Sequence, residues 1–283
     1  MLPIKKIYVD TKYRTSDSIS STDFSIQLNE TIYMPDNSVF YIYDVCIPHS
    51  WYTVEEYVNN KFYLQIKFNN VTSDIILTLD SKKYTGSDLI AELSTQINKI
   101  VDFTNKLAFI YDSSRHLIFI SCDVGYTFKI LTKSDILTRF DGSWSGLNYD
   151  ITKTYDINTY MLKLNEGVSP TYTSISNFTS PSLDLQPIRN IYISSPNLGN
   201  FSTIGPNGQA SIIKKVPVNA NYNSVIFDGM TSSNDFLDCS KQTLKNLEFT
   251  LDNVHGQRIN LHGQEVSFSI KFDLLNKKTV NSI

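Results

Sequence analysis

Side chains that carry chemistry are scarce in this chain. Its 283 residues include four histidines and three cysteines. Cys46, Cys122 and Cys239 are odd in number and far apart, which argues against a disulfide framework and against a paired-cysteine metal clasp. They read as buried free thiols. His255 and His262, in HGQRINLHG, stand seven residues apart with no cysteine or clustered carboxylate beside them, a spacing that fits no common zinc pattern. Neither GxxxxGK(S/T), GxGxxG nor GxSxG occurs, so a phosphate-cradling loop or a nucleophile elbow has no candidate. Glu55 and Glu56 are adjacent; on a strand they would face opposite sides, unlike the paired carboxylates of a glycosidase. The chain is therefore expected to need no cofactor or metal and to have no catalytic residue.

Other absences bear on location and partners. No apolar run approaches the roughly 18 residues needed to cross a bilayer, and MLPIKKIYVD lacks the apolar core of a secretory leader. A formal net charge of -3 is not the footprint of a protein that wraps nucleic acid. The expectation is a protein made in the cytoplasm, without a membrane span and without nucleic-acid sequence recognition.

What the chain has in quantity is aromatic strand formers: 17 Tyr and 16 Phe against 2 Trp, among many Asn, Ser and Thr that favour turns. Period-two alternation marks half-buried strands. It is clearest near the end, with Leu247, Phe249 and Leu251 on one face and Val266, Phe268, Ile270, Phe272 and Leu274 on another, so the chain is expected to close with a long antiparallel pair. Further strands are expected at 23–28, 38–47, 188–194, 212–218 and 222–227, with one more near Thr159. Those runs total about eight, the number that two Greek keys require for a jelly roll.

One window differs in character. Strands are expected at 61–68 and 75–79, then a helix: Thr85 stands three residues before Asp88 as a capping box, and Leu89, Leu93, Ile97 and Ile100 follow at helical spacing. Strands at 107–111, 117–122 and 126–131 and a short helix at 135–140 complete it. The predicted architecture is mainly β, a single jelly-roll sandwich of residues 23–60 and 146–283 with an inserted α/β domain at 61–145. Residues 1–22, passing into the polar TSDSISST, are expected to form an extended arm, and 143–187 mostly loop with a further short strand at 172–175.

Several segments together resemble the penton, or minor capsid, proteins of virophages and polinton-like viruses, most nearly of the Mavirus type. They are IYVDTKYRTSDSISSTDFSIQL with Arg14, VCIPHSWYTVEEYVNNKFYL with Pro48, Trp51 and Tyr52, LTLDSKKYTGSDLIAELSTQIN, and LDNVHGQRINLHGQEVSFSIKFDL with Gly256 and Gly263. The resemblance implies an upright jelly roll in an icosahedral shell, five copies closing each vertex and the insert facing outward. It implies a homopentamer beside the major capsid protein in the virion. On that view Lys5, Tyr8 and Arg14 of the arm, and Trp51 and Tyr52 of the loop from 49 to 60, are the expected inter-subunit contacts. The alternative expectation is a jelly roll that binds a receptor or glycan.

Overall fold

The computed structural model describes residues 5–56, 58–132, 135–136, 157–162, 176–186, 188–199, 201–229 and 235–275. The chain divides into two compact units, Met1–Trp51 with Ile188–Ile283, and Tyr52–Pro187. It begins in the first unit with β1 (Lys5–Asp10), β2 (Asp23–Tyr33) and β3 (Ser38–Pro48). The second unit follows, with β4 (Lys61–Phe68), β5 (Val71–Thr78), α1 (Gly86–Asn98), β6 (Leu107–Asp112), β7 (Leu117–Cys122), β8 (Tyr126–Ile130), α2 (Ile157–Tyr160) and β9 (Asn177–Thr179). The chain then returns to the first unit with β10 (Asn190–Ser194), β11 (Ile212–Pro217), β12 (Val225–Gly229), β13 (Leu237–Asp238), β14 (Thr243–Asp252) and β15 (Ser267–Leu274).

Every pairing in the first unit is antiparallel. One sheet runs β1-β15-β3-β12, with β13 also against β3, and the other runs β11-β10-β14-β2. Setting β13 aside, the eight strands pair first with last, second with seventh, third with sixth and fourth with fifth. That nesting is one long ribbon folded over on itself, which defines a jelly roll. The fold class read from the alternation is therefore the fold observed, with the second unit spliced between the third and fourth strands of the roll.

Two strand assignments are corrected. Residues 5–10, expected to be an arm, form β1 in register with β15 from Lys5↔Phe272 to Asp10↔Ser267, with Ile7 and Val9 buried. The following residues are tied down too: the Thr15 and Ile19 amides donate to the Ser25 and Asp23 carbonyls. The run near Thr159 is helical, as α2 in the second unit. One strand gained and one lost leave the number at eight. The expected closing pair is also corrected, because β14 and β15 lie in different sheets. Alternation shows that a segment is a strand, but not which strand it will meet.

The two sheets enclose one apolar core. Phe249 of β14 stands 5.4 Å from Phe24 of β2 and 5.1 Å from Phe268 of β15, ring centre to ring centre, the last edge-on across the sandwich. Each open side of the sandwich carries one lysine–carboxylate pair at an inward strand position. Lys5 of β1 opposes buried Phe272 and pairs with Glu30 of β2. Lys214 of β11 opposes buried Ile193, Asp228 of β12 opposes buried Val45, and their charged atoms are 2.8 Å apart.

The second unit has two three-stranded sheets, β5-β4-β8 and β6-β7-β9. Helix α1 starts at the expected capping box, with Thr85 Oγ1 accepting from the Asp88 amide at 3.2 Å and the Asp88 carboxylate accepting from the Thr85 amide at 3.1 Å. Its Leu89, Leu93 and Ile97 are buried, as the stripe predicts. The unit is wider than the 61–145 window. Val54 and Lys82 exchange backbone hydrogen bonds, the Leu79 amide donates to Asn60, β9 pairs with β7, and the Leu183 amide donates to His116, so 52–60 and 176–187 belong with it. The expected helix at 135–140 and strand at 172–175 lie outside the described residues, apart from Asp135 and Ile136.

Candidate assembly surface

The outer face of the β1-β15-β3-β12 sheet is built by alternation and by one irregularity. Inward positions are Ile7 and Val9 of β1, Phe268, Ile270 and Phe272 of β15, Phe40, Ile42, Val45 and Ile47 of β3, and Ile226 of β12, all buried. Lys6, Tyr8 and Asp10, Lys271 and Asp273, and Val225 and Phe227 therefore point outward. On β3 the inward spacing is two, three, two, because Tyr43 and Asp44 together oppose Ser269. This is a β-bulge, a device that re-aims side chains. It turns both Tyr43 and Asp44 to the outside.

The bulged Tyr43 collects two cations. Lys271 Nζ lies 3.3 Å from its ring centre and Lys6 Nζ 4.8 Å, while Lys6 also stands 4.5 Å from the ring centre of Tyr8. These are cation–π distances. Lys6 and Lys271 directly oppose each other across β1 and β15, and neither has a carboxylate within ion-pair distance among the described residues. Beside them Tyr41 packs edge-on against Phe236, 5.2 Å between centres. Burial, and then the neighbouring Asp273 carboxylate, raise the Tyr41 phenol above its usual range. Val225 and Phe227 are about 60% exposed at the sheet's edge (59% and 60%).

The residues expected to make inter-subunit contacts fall in different settings. Tyr8 is 74% exposed on this outer face. Lys5, one residue from Lys6, is on the opposite phase and is held by Glu30. Arg14 is half-buried and committed: its Nη1 donates to both Glu265 oxygens at 2.9 Å and to the Thr11 carbonyl at 2.8 Å. Thr11 completes the clasp, its hydroxyl donating to Glu265 and accepting from the Val266 amide at 2.8 Å. Partial burial disfavours the Glu265 carboxylate, yet the Thr11 hydroxyl and the Arg14 guanidinium outweigh that and hold its carboxyl below the usual glutamate range.

Trp51 is a correction. Its ring is 2% exposed in the core of the first unit, 4.2 Å from the His49 ring, and its indole N–H has no acceptor within the described residues. The segment is sewn in from both sides: His49 Nδ1 bonds the Ala220 carbonyl at 2.8 Å, the Ser50 hydroxyl donates to Leu261 at 2.8 Å, and His262 Nδ1 bonds the Ser50 carbonyl at 2.8 Å. A strand-ending proline followed by tryptophan leads inward here, not out. Tyr52 is half-buried in the second unit, its amide donating to the Glu55 carboxylate at 3.2 Å. Among the described residues no three His, Cys, Asp or Glu side chains gather as a metal site, and no helix is long and apolar enough to cross a membrane.

The sequence matches no family model and no curated protein. Among solved structures it is similar to the crystal structure of selenomethionine-labelled mavirus penton protein, with 14% identity and a TM-score of 0.50 over 96% of this chain and 100% of that one. The likeness is one of fold.

Proposed function

We propose that this chain is a structural capsid protein that closes the five-fold vertices of an icosahedral particle, and that it is not an enzyme. The observation that carries the reading is the fold likeness to a penton protein over 96% of this chain and 100% of that one, beside this chain's own eight-stranded roll with a second unit between its third and fourth strands. A ring of five needs a heterologous interface, in which one flank of each subunit meets the opposite flank of the next and the rotation closes. Each contact must bury on the order of 1,000 to 2,000 Å² to hold without covalent links. In this reading the second unit faces outward, the major capsid protein is the neighbour, and the chain resides in the virion.

The test is location. The chain is co-expressed with the capsid proteins of its own genome, assembled particles are imaged by cryo-electron microscopy, and density at the vertices is compared with particles lacking it. Density for five jelly rolls at each vertex is expected. Particles with closed vertices in its absence, or the chain found elsewhere, overturn the proposal.

A glycan-binding jelly roll is the second reading, favoured by one feature of the second unit. Phe68 and Tyr126 stack at 4.3 Å and 14° beside the Asn69–Asn70 turn, the kind of platform on which sugar rings lie. Binding on a glycan array that is lost in Phe68→Ala would support it.

A further inference from the structure

We propose that the outer face of the β1-β15-β3-β12 sheet docks a carboxylate-bearing segment of a partner protein, its acidic group seated between Lys6 and Lys271 and its chain lying along Tyr8, Tyr43 and Phe227. The inference is independent of the capsid reading, since it rests on this face alone.

Three features of the face converge. Lysines directly opposed on antiparallel strands repel each other, and this pair makes no ion pair or side-chain hydrogen bond with the described residues, leaving two ammonium groups with three N–H donors each. The rings of Tyr8 and Tyr43 offset part of the charge but accept no conventional hydrogen bond through their faces. A carboxylate would satisfy the donors and the repulsion together. Next, the ring that holds both ammonium groups in place stands at a bulge. An unbulged β3 would keep Tyr43 outward, in phase with Tyr41 opposite Lys271, and turn Asp44 inward; the irregularity adds Asp44 to the outer face beside that ring. Last, the flanks carry charge of the other sign: Asp10 on β1, Asp44 on β3 and Asp273 on β15. A single positive focus within an acidic border suits one discrete carboxylate and repels a continuous polyanion such as nucleic acid or an anionic membrane. Exposed Tyr8 and Phe227 then supply the apolar area that a lone ion pair at a surface cannot.

Zero-length carbodiimide coupling tests this on the full chain, because it joins lysine to carboxylate only on contact. The probe is an acetylated and amidated hexapeptide of glycine with two glutamates and one phenylalanine, and the coupled lysines are mapped by peptide mass spectrometry. Coupling at Lys6 and Lys271 is expected to exceed that at exposed Lys12 and Lys215 by about tenfold, and to fall to their level in Tyr43→Leu, which leaves both lysines in place. Circular dichroism and unchanged coupling at Lys12 and Lys215 show that the variant is folded. Coupling spread evenly over exposed lysines overturns the proposal. So does suppression by a short oligothymidylate at equal charge concentration, because phosphate would then be the preferred occupant.

Discussion

Replacing Lys214 by methionine should destabilise the first unit far more than replacing Lys5, although each lysine closes one side of the same sandwich. The Lys214 and Asp228 side chains are only 11% and 18% exposed, against 37% and 67% for Lys5 and Glu30. Removing one member of a buried pair costs about 3–5 kcal/mol because the other charge is stranded, while exposed pairs are worth about 0.2–1 kcal/mol. Asp228 keeps some access to water, so a loss of about 2 kcal/mol is expected for Lys214→Met. With a urea dependence of about 2 kcal/mol per molar for a unit of this size, the midpoint falls by about 1 M. The assay is urea unfolding followed by tryptophan fluorescence in a Trp144→Phe background, which leaves Trp51 in the core of the first unit as the reporter. Adding Asp228→Leu to Lys214→Met should restore most of the loss, since no charge is then stranded. A midpoint that moves no more in Lys214→Met than in Lys5→Ala, or a double variant as unstable as the single one, would refute the reasoning.

Trp51→Ala should cost about 3–4 kcal/mol in the first unit, as for other buried indoles, measured by calorimetry; a loss below about 1 kcal/mol would return Trp51 to the surface. Cys239, fully buried, has its thiol pushed up to about 12 by burial and then by Asp238, so native protein at pH 8 should alkylate there more slowly than at half-buried Cys46 and Cys122, and urea should abolish the difference. Glu265 is held below the ordinary glutamate range, so its clasp with Thr11 and Arg14 stabilises the fold above the unfolded-state value and is lost as pH falls through the lower folded-state value. Glu265→Gln should flatten that part of the stability–pH curve and leave the slope near neutrality unchanged; an unaltered acid limb would remove Glu265 from the account.

Local pattern made some elements legible and hid others for identifiable reasons. Helix α1 announces itself because the cap Thr85 adjoins its 13 residues and Asp88, Leu89, Leu93 and Ile97 lie within them, although Ile100 of the expected stripe falls just past its end. Strand β1 does not: only Ile7 and Val9 alternate, between lysines and a polar run, and its partner β15 lies more than 250 residues later. The bulge was written in the sequence as Phe40, Ile42, Val45 and Ile47, a two-three-two spacing, but it sits in a run that reads as apolar on both faces. Thus Tyr8 could be nominated from its position in the chain, whereas Lys6, Tyr43 and Lys271 come together only once β1, β3 and β15 are aligned. Trp51 was misplaced because the partners that sew its segment in, Ala220 through His49 and Leu261 through Ser50, lie 171 and 211 residues away along the chain.

The nested pairing of the roll has a kinetic consequence. During synthesis β1, β2 and β3 emerge before the second unit and their partners β15, β14 and β12 after it, while the second unit holds its own sheets and helices and can close meanwhile. Such separation of contacts along the chain makes folding slow and leaves early apolar strands waiting. The spliced unit would thus be native first, and the nascent amino-terminal strands would be the segment most in need of a chaperone.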